Sequence, residues 1–163
     1  MSYKVFLSHS SKDMILVNWF YKRFTQAGYK IIIAARERPT KFPGYLAEKL
    51  KNLIKSSDCV VALLTRNGVE SNLVNHEVAY TLEKKPLIPI VDGMSVNHNK
   101  LGFLQGTEYI NLRKNNNCWQ IDVRSLDKWL HSLRSDKETS DKIIATIVTI
   151  GLFGAVIWLS RKS

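Results

Sequence analysis

The sequence predicts an α/β fold, a five-stranded parallel sheet with helices on both faces, followed by a C-terminal transmembrane helix. Short apolar segments alternate with segments of helical periodicity, an order typical of parallel sheets. The segment CVVALL is apolar throughout, as expected of a strand buried on both faces. The tail is predicted from 17 uncharged residues, Ile143 to Leu159, which lie between Lys142 and the pair Arg161-Lys162.

The first half of the body is predicted from apolar periodicity and turn residues. The apolar VFL segment favours a strand, and a stretch of serines follows it. Apolar side chains then recur at helical spacing as far as Gly28, a residue type that commonly ends helices. A loop with two prolines precedes the next helix, whose leucines share one face. The elements are, in order, strand Lys4–Leu7, helix Lys12–Ala27, strand Tyr29–Ala35 and helix Tyr45–Ser56.

The second half repeats the alternation and ends in a helix. The remaining elements are strand Cys59–Leu64, helix Ser71–Lys84, strand Leu87–Val91, strand Tyr109–Leu112 and helix Val123–Leu133. Five strands in this order favour the flavodoxin-like arrangement, in which ligands bind beyond the C-terminal strand ends where the strand order reverses. The sequence therefore predicts a site between the ends of the first and third strands.

Composition excludes several classes of function. The net charge is +10, but the basic residues are scattered and no nucleic-acid-binding motif appears, so we expect no nucleic-acid partner. The two cysteines and four histidines show no metal-ligand spacing, so we expect no metal. The first strand is followed by neither a dinucleotide-binding glycine motif nor a Walker loop.

Polar residues follow the first strand, at the predicted site. Ser8, Ser10 and Ser11 precede Lys12 at the start of a helix. Hydroxyls, backbone N–H groups and a helix N-terminus together can hold phosphate oxygens. The alternative is that Ser10 or Ser11 only caps the helix, and Asp13 likewise fits a role at the helix dipole.

Glu77 is the candidate acid on the helix after the third strand. Val74, Val78 and Leu82 form the predicted buried stripe of this helix. Glu77 flanks the stripe, about 60° from Val74 on a helical wheel, so its carboxylate can point into a cleft. The alternative is an exposed, solvated glutamate.

Three segments resemble a TIR (Toll/interleukin-1 receptor) domain of the prokaryotic type. They are KVFLSHSSKD (4–13), FPGYLAEKLKNLIKSSDCVVALLT (42–65) and SNLVNHEVAYTLEKKPLIPIV (71–91). These segments occur in the order and with the spacing typical of the family, so the resemblance covers residues 3–133. Many TIR domains cleave NAD+ at the nicotinamide–ribose bond with a glutamate on this helix, so the resemblance implies that Glu77 is catalytic. NAD+ is then the substrate, no cofactor is needed, and both hydrolysis and cyclisation remain open.

The resemblance also implies roles for neighbouring residues. The loop Ser8, His9, Ser10, Ser11 and Lys12 would line the nucleotide cleft. The segment Arg36–Gly44 matches the family's mobile BB loop, which often mediates TIR–TIR assembly, and Arg36 or Arg38 would reach phosphates. Relatives often carry Trp where this chain has Leu73. Because the aromatic residue would stack on the nucleotide, its replacement by Leu leaves two functions open. One is an NAD+-cleaving enzyme in antiviral defence or cell death; the other is a non-enzymatic module that assembles through its loops.

The tail predicts attachment to a membrane. A helix needs about 20 residues to cross a hydrocarbon core of about 30 Å, and the 17-residue run is at the low end of that length. The alternative interpretation of the run is a buried core helix. We predict a domain over residues 1–134, a linker over 135–142 and a single-pass transmembrane helix over 143–160. No secretory signal opens the chain, so the domain is expected in the cytoplasm.

The tail also contains a face of small residues. Gly151 and Ala155 can let two helices approach closely and favour a homo-oligomer. A third function, a membrane effector that disturbs the bilayer, is disfavoured because Thr146 and Thr149 are the main polar residues of the run.

Overall fold

A six-stranded sheet organises residues 1–126 in the computed structural model. The structure describes residues 2–33, 43–82, 84–93, 96, 101–102, 104, 107–115, 118–121 and 124–140. The strands are β1 (Lys4–Ser8), β2 (Lys30–Ile33), β3 (Cys59–Leu64), β4 (Leu87–Asp92), β5 (Ile110–Asn115) and β6 (Cys118–Ile121). The helices are α1 (Met14–Gln26), α2 (Pro43–Ser56), α3 (Arg66–Val69), α4 (Asn72–Leu82) and α5 (124–140).

The strand order is β2-β1-β3-β4-β5-β6. The first five strands are parallel, which confirms the predicted parallel sheet, and the order reverses between β1 and β3 as predicted. The five predicted strands are all present, and a sixth strand that was not predicted, β6, pairs antiparallel with β5 at the edge. This strand has four residues and follows the polar sequence NNN (115–117), so its apolar pattern is too short to predict a strand.

Helices lie on both faces of the sheet. The connections β1-α1-β2 and β2-α2-β3 cross the sheet in opposite directions, and right-handed crossovers then place α1 and α2 on opposite faces. Helices α2 and α4 contact each other and share a face. On that face Phe6 and Val60 pack against Leu50 and Ile54 of α2. Side chains alternate along a strand, so Ser8 points to the same face as Phe6.

The chain divides into two compact units, Met1–Leu126 and Asp127–Ser163. The sheet and helices α1 to α4 belong to the first unit. In the second unit the described residues continue α5, where Arg134 forms an ion pair with Glu138 at 2.9 Å. Residues 135–140, which were predicted as linker, are helical here because the segment SDKETS contains neither Gly nor Pro to end the helix.

The predicted tail lies outside the described residues, which end at 140. Within the described part of the chain, no helix combines the length and the apolar character needed to cross a membrane. The transmembrane helix over 143–160, the cytoplasmic placement and the face of Gly151 and Ala155 therefore stay predictions.

Candidate functional site

A buried hydrogen bond joins the end of β1 to helix α4. The Ser8 hydroxyl donates to Oε2 of Glu77. Ser8 is fully buried and Glu77 is only 4% exposed. The contact arises because Ser8 is the last residue of β1 on the face that α4 covers. A serine and a glutamate that sequence analysis selected separately therefore form one site at the predicted switch point of the sheet.

Glu77 lies inside the buried face of α4 and does not merely flank it. The helix starts after Ser71, whose hydroxyl accepts from the Val74 N–H at 3.4 Å. The predicted stripe was wrong at its end, because Leu82 is 41% exposed. The buried positions follow helical spacing with a different last residue. They are Val74, Glu77, Val78 and Thr81.

A cleft of about 350 Å³ opens between α2 and α4 beside this carboxylate. Buried residues form its floor, and exposed or half-buried residues form its walls and rim. The floor consists of Leu50, Ile54 and Glu77. The walls and rim consist of Lys51, Leu73, His76, Ala79 and Tyr80. Of the described residues that line the cleft, Glu77 is the one acid, and its surroundings are mostly apolar.

The loop after β1 has mixed roles. Nδ1 of the buried His9 lies 3.0 Å from the carbonyl oxygen of Leu7. Ser10 caps a 3-10 turn over Ser11–Asp13, where its hydroxyl accepts from the Lys12 N–H at 3.4 Å. The alternative given for Ser10, a cap, is thus what the geometry shows. Ser11 and Lys12 are exposed, whereas Ser8 is buried and bonds to Glu77.

Asp13 connects two loops at the site, a role that sequence analysis missed. Its carboxylate accepts hydrogen bonds of 2.7 Å from the Thr65 hydroxyl and from Nδ2 of Asn67. Thr65 also accepts from the Gly68 N–H at 3.0 Å and so caps the one-turn helix α3. The loop after β1 is therefore fixed to the loop after β3, which leads into α4.

The other predicted site residues have separate outcomes. Leu73 is half-buried and lines the cleft, so an apolar wall stands where relatives often have an aromatic one. Arg36 and Arg38, with the predicted BB loop up to residue 42, lie outside the described residues. Among the described residues, no three His, Cys, Asp or Glu side chains are grouped to hold a metal ion.

The fold and the sequence together decide the family. The family model described as "TIR domain" matches residues 5–130. The chain belongs to the TIR domain family. This assigns it to a class of signal-transduction domains and confirms the family part of the resemblance, while the prokaryotic type stays a prediction.

Solved structures share the fold at low sequence identity. The TIR domain of the Toll-related receptor TRR-2 from Hydra magnipapillata is 20% identical, with a TM-score of 0.60 over 82% of this chain and 99% of that chain. A conserved protein from Enterococcus faecalis V583 is 18% identical, with a TM-score of 0.48 over 66% of this chain and 77% of that chain. The TIR domains of the activated Roq1 resistosome are 16% identical, with a TM-score of 0.46 over 65% and 72%. The Hydra domain supports the TIR fold, and no curated protein matches this sequence.

Proposed function

We propose that this TIR domain is an enzyme that cleaves NAD+ at the nicotinamide–ribose bond, with Glu77 as its catalytic residue. The observation that carries the proposal is a carboxylate at 4% exposure, oriented by Ser8 and lining an otherwise mostly apolar cleft. A volume of about 350 Å³ lies within the usual range of small-molecule sites, roughly 300–1,000 Å³. A cleft of this volume can hold part of a dinucleotide, and the rest of the dinucleotide would lie at the rim.

The chemistry needs few protein groups. The bond between the ribose C1′ and the pyridine nitrogen breaks, and both of its electrons go to the nitrogen, so nicotinamide leaves as a neutral molecule. The ribose becomes an oxocarbenium-like cation, which a nearby carboxylate stabilises as in glycosidases. Capture by water gives ADP-ribose and a proton, whereas capture by an adenine nitrogen of the same molecule gives a cyclic product. In both cases Glu77 acts on the developing positive charge.

Burial makes this carboxylate effective. A charge held away from water interacts more strongly with a developing opposite charge, because the effective dielectric constant is lower. Ser8 holds the carboxylate in one orientation, so little reorganisation is needed during bond cleavage. His9, Ser11 and Lys12 of the loop after β1, with Arg36 and Arg38, are proposed to bind the nucleotide, whereas the Ser10 hydroxyl caps the turn.

The test is nicotinamide release from NAD+ by the full chain, purified in detergent and concentrated to favour assembly. We expect release by the unmodified chain and a loss of at least about 100-fold in Glu77→Gln, which removes the charge and keeps the shape. Glu70→Gln is the matched control, because the Glu70 side chain is 51% exposed and pairs with Arg66 at the surface. Equal rates for the unmodified chain and Glu77→Gln would overturn the enzyme proposal.

A second candidate function is a non-enzymatic assembly module. The observation that favours it is Leu73, because an aliphatic wall gives a pyridine or purine ring less stacking than an aromatic one. Leu73→Trp separates the two proposals. It should lower the KM for NAD+ if the domain is an enzyme, whereas a chain that releases no nicotinamide with either residue acts as a module.

We further propose that residues 143–160 anchor the domain to a membrane from the cytoplasmic side. Confinement to a surface raises the effective concentration of the domains and favours TIR–TIR assembly. Removal of residues 143–163 should release the protein from the membrane fraction and lower the specific activity at equal protein concentration. A truncated chain that keeps full activity would contradict the part of this proposal that concerns assembly.

A further inference from the structure

The cleft beside Glu77 carries opposite charges at its floor and at its rim. Glu77 lies at the floor, while Lys51 is an exposed residue that lines the same cleft from α2. The Lys51 Nζ lies 5.9 Å from the centre of the Tyr80 ring. The Nζ of Lys84, another exposed residue, lies 4.5 Å from the centre of that ring. Two ammonium groups therefore lie near the ring of Tyr80, which lines the cleft together with Lys51 and Glu77, while Lys84 stands next to the lining residues.

The Tyr80 ring positions these two charges. An aromatic face attracts a cation through its quadrupole at distances up to about 6 Å, and such contacts contribute about 0.5–1 kcal/mol at exposed sites. Lysine side chains have high rotational freedom, so this contact narrows the range of positions of both Nζ atoms. Both ammonium groups thus lie within about 6 Å of one ring, which defines where we expect them to meet an anion.

This polarity matches one ligand orientation. NAD+ carries a positive charge on its nicotinamide ring and negative charges on its diphosphate, with a ribose between them. If the nicotinamide end points toward Glu77, the diphosphate lies toward Lys51 and Lys84 beside Tyr80. The reverse orientation would direct the neutral adenine to the carboxylate and the cationic ring toward two ammonium groups, which is electrostatically unfavourable.

We propose that Lys51 and Lys84, positioned by Tyr80, form the diphosphate-binding subsite of this cleft and set the direction in which the dinucleotide enters. The inference rests on the proposed cleavage of NAD+, since it assigns the other end of the same ligand. Lys51 lines the cleft itself, and Lys84 reaches it through its contact with Tyr80; neither the TIR family assignment nor the Glu77 chemistry assigns these two lysines a role.

The experiment uses two stable probes that each carry one half of the charge pattern. ADP-ribose contains the diphosphate and lacks nicotinamide; 1-methylnicotinamide contains the cationic ring and lacks both phosphate and a cleavable ribose bond. Their dissociation constants are measured by titration of the full chain and of its Lys51→Glu, Lys84→Glu and Glu77→Gln variants. Lys22→Glu is the matched control, because Lys22 is exposed on α1, on the opposite face of the sheet.

We expect a crossed pattern, in which the lysine variants affect one probe and the Glu77 variant affects the other. Lys51→Glu and Lys84→Glu should each weaken ADP-ribose binding by about two- to fivefold, which is the size of one exposed ion pair. Both should leave 1-methylnicotinamide binding unchanged or slightly tighter. Glu77→Gln should weaken 1-methylnicotinamide and spare ADP-ribose. Added salt should reduce the effect of Lys51→Glu, because screening acts on exposed charges. Folding of each variant is checked by its urea midpoint.

The outcomes separate this inference from the proposed function. ADP-ribose affinity that is unchanged in both rim variants, or changed equally by Lys22→Glu, overturns the subsite. Failure of the unmodified chain to bind ADP-ribose also overturns it. If the crossed pattern is found but the chain releases no nicotinamide, the subsite proposal stands and the enzyme proposal is overturned. If Lys51→Glu and the unmodified chain both release nicotinamide with the same KM for NAD+, the enzyme proposal stands and the subsite proposal is overturned.

Discussion

The Ser8 hydroxyl and the Glu77 carboxylate are hydrogen-bonded inside the protein although 69 residues separate them in the sequence. The bond connects the end of a central strand to the helix that covers it. A carboxylate at this depth needs a donor, because an unsatisfied buried polar group costs about 1–3 kcal/mol. Ser8 therefore contributes both to stability and to the orientation of the proposed catalytic group.

Ser8→Ala removes the hydroxyl that donates this hydrogen bond and changes the volume of the side chain only slightly. We expect the free energy of unfolding to fall by about 1–3 kcal/mol, and kcat for nicotinamide release to fall by about tenfold, because the carboxylate loses its fixed orientation. Urea denaturation and initial rates at saturating NAD+ measure the two effects. Ser2→Ala, at an exposed position outside the proposed site, should change neither. A Ser8→Ala variant with unchanged stability and kcat would contradict the role of the bond.

Asp13→Asn tests the connection between the loops after β1 and β3. The substitution removes the charge that accepts from Thr65 and Asn67, and hydrogen bonds to charged groups are worth about 1.5–3 kcal/mol each. We expect a loss of about 2 kcal/mol in the free energy of unfolding. Asp136→Asn, at an exposed position of α5, is the control. Equal urea midpoints for the two variants would show that Asp13 does not stabilise the loops.

Gly68→Ala tests the close packing of α3 on β3. A Cβ at Gly68 would lie 2.3 Å from the backbone oxygen of Leu63, so α3 must shift away from the strand. Forced overpacking typically costs about 1–3 kcal/mol, which the urea midpoint will report. Gly102→Ala is the matched control, since no heavy atom lies within 4 Å of its Cβ position. A Gly68→Ala variant as stable as Gly102→Ala would contradict the close approach.

Cys59 makes stability depend on pH in alkaline solution. Burial raises the pKa of the Cys59 thiol from 9.0 to about 12. Above about pH 9 the unfolded chain loses this proton while the folded chain keeps it, so the free energy of unfolding falls as the pH rises toward 12. Between about pH 8 and about pH 10 this group should account for a loss of about 1 kcal/mol.

Cys59→Ala provides the comparison for that prediction. The variant should be less stable than the unmodified chain at about pH 8, because it loses buried volume, but its urea midpoint should fall less on going to about pH 10. Tyr3 acts in the same direction, because burial also raises the pKa of its hydroxyl. Tyr3→Phe should therefore reduce the alkaline loss as well. Parallel pH profiles for Cys59→Ala and the unmodified chain would contradict the assignment.

Long, regular patterns allowed most of the sheet to be predicted from sequence. Strand Cys59–Leu64 has its predicted bounds because a continuous apolar run between polar ends permits few alternatives. Helix α3 was not predicted, since its four residues, RNGV, are too few for helical periodicity. Its start is set by a hydrogen bond between the Thr65 side chain and the Gly68 N–H, a local cap without an apolar pattern.

The site was predicted in part. Glu77 and Ser8 were selected from their positions after β3 and β1, but sequence analysis gave no sign that they contact each other. Leu82 was assigned to the buried face from its apolar character, whereas Thr81 occupies that face and donates to the Glu77 carbonyl at 2.7 Å. Asp13 was given only a role at the helix dipole, because its partners Thr65 and Asn67 lie 52 and 54 residues away. Contacts over such distances depend on the strand order.

The large sequence separations within the site have a consequence for synthesis of the chain. Glu77 meets Ser8 only after β1 and β3 have paired in parallel and α4 has packed on them, and contacts between distant segments form late in folding. A nascent chain that has left the ribosome only as far as β3 carries half of the site and lacks its carboxylate. The proposed NAD+-consuming activity therefore requires that α4 has been synthesised and has packed against β1.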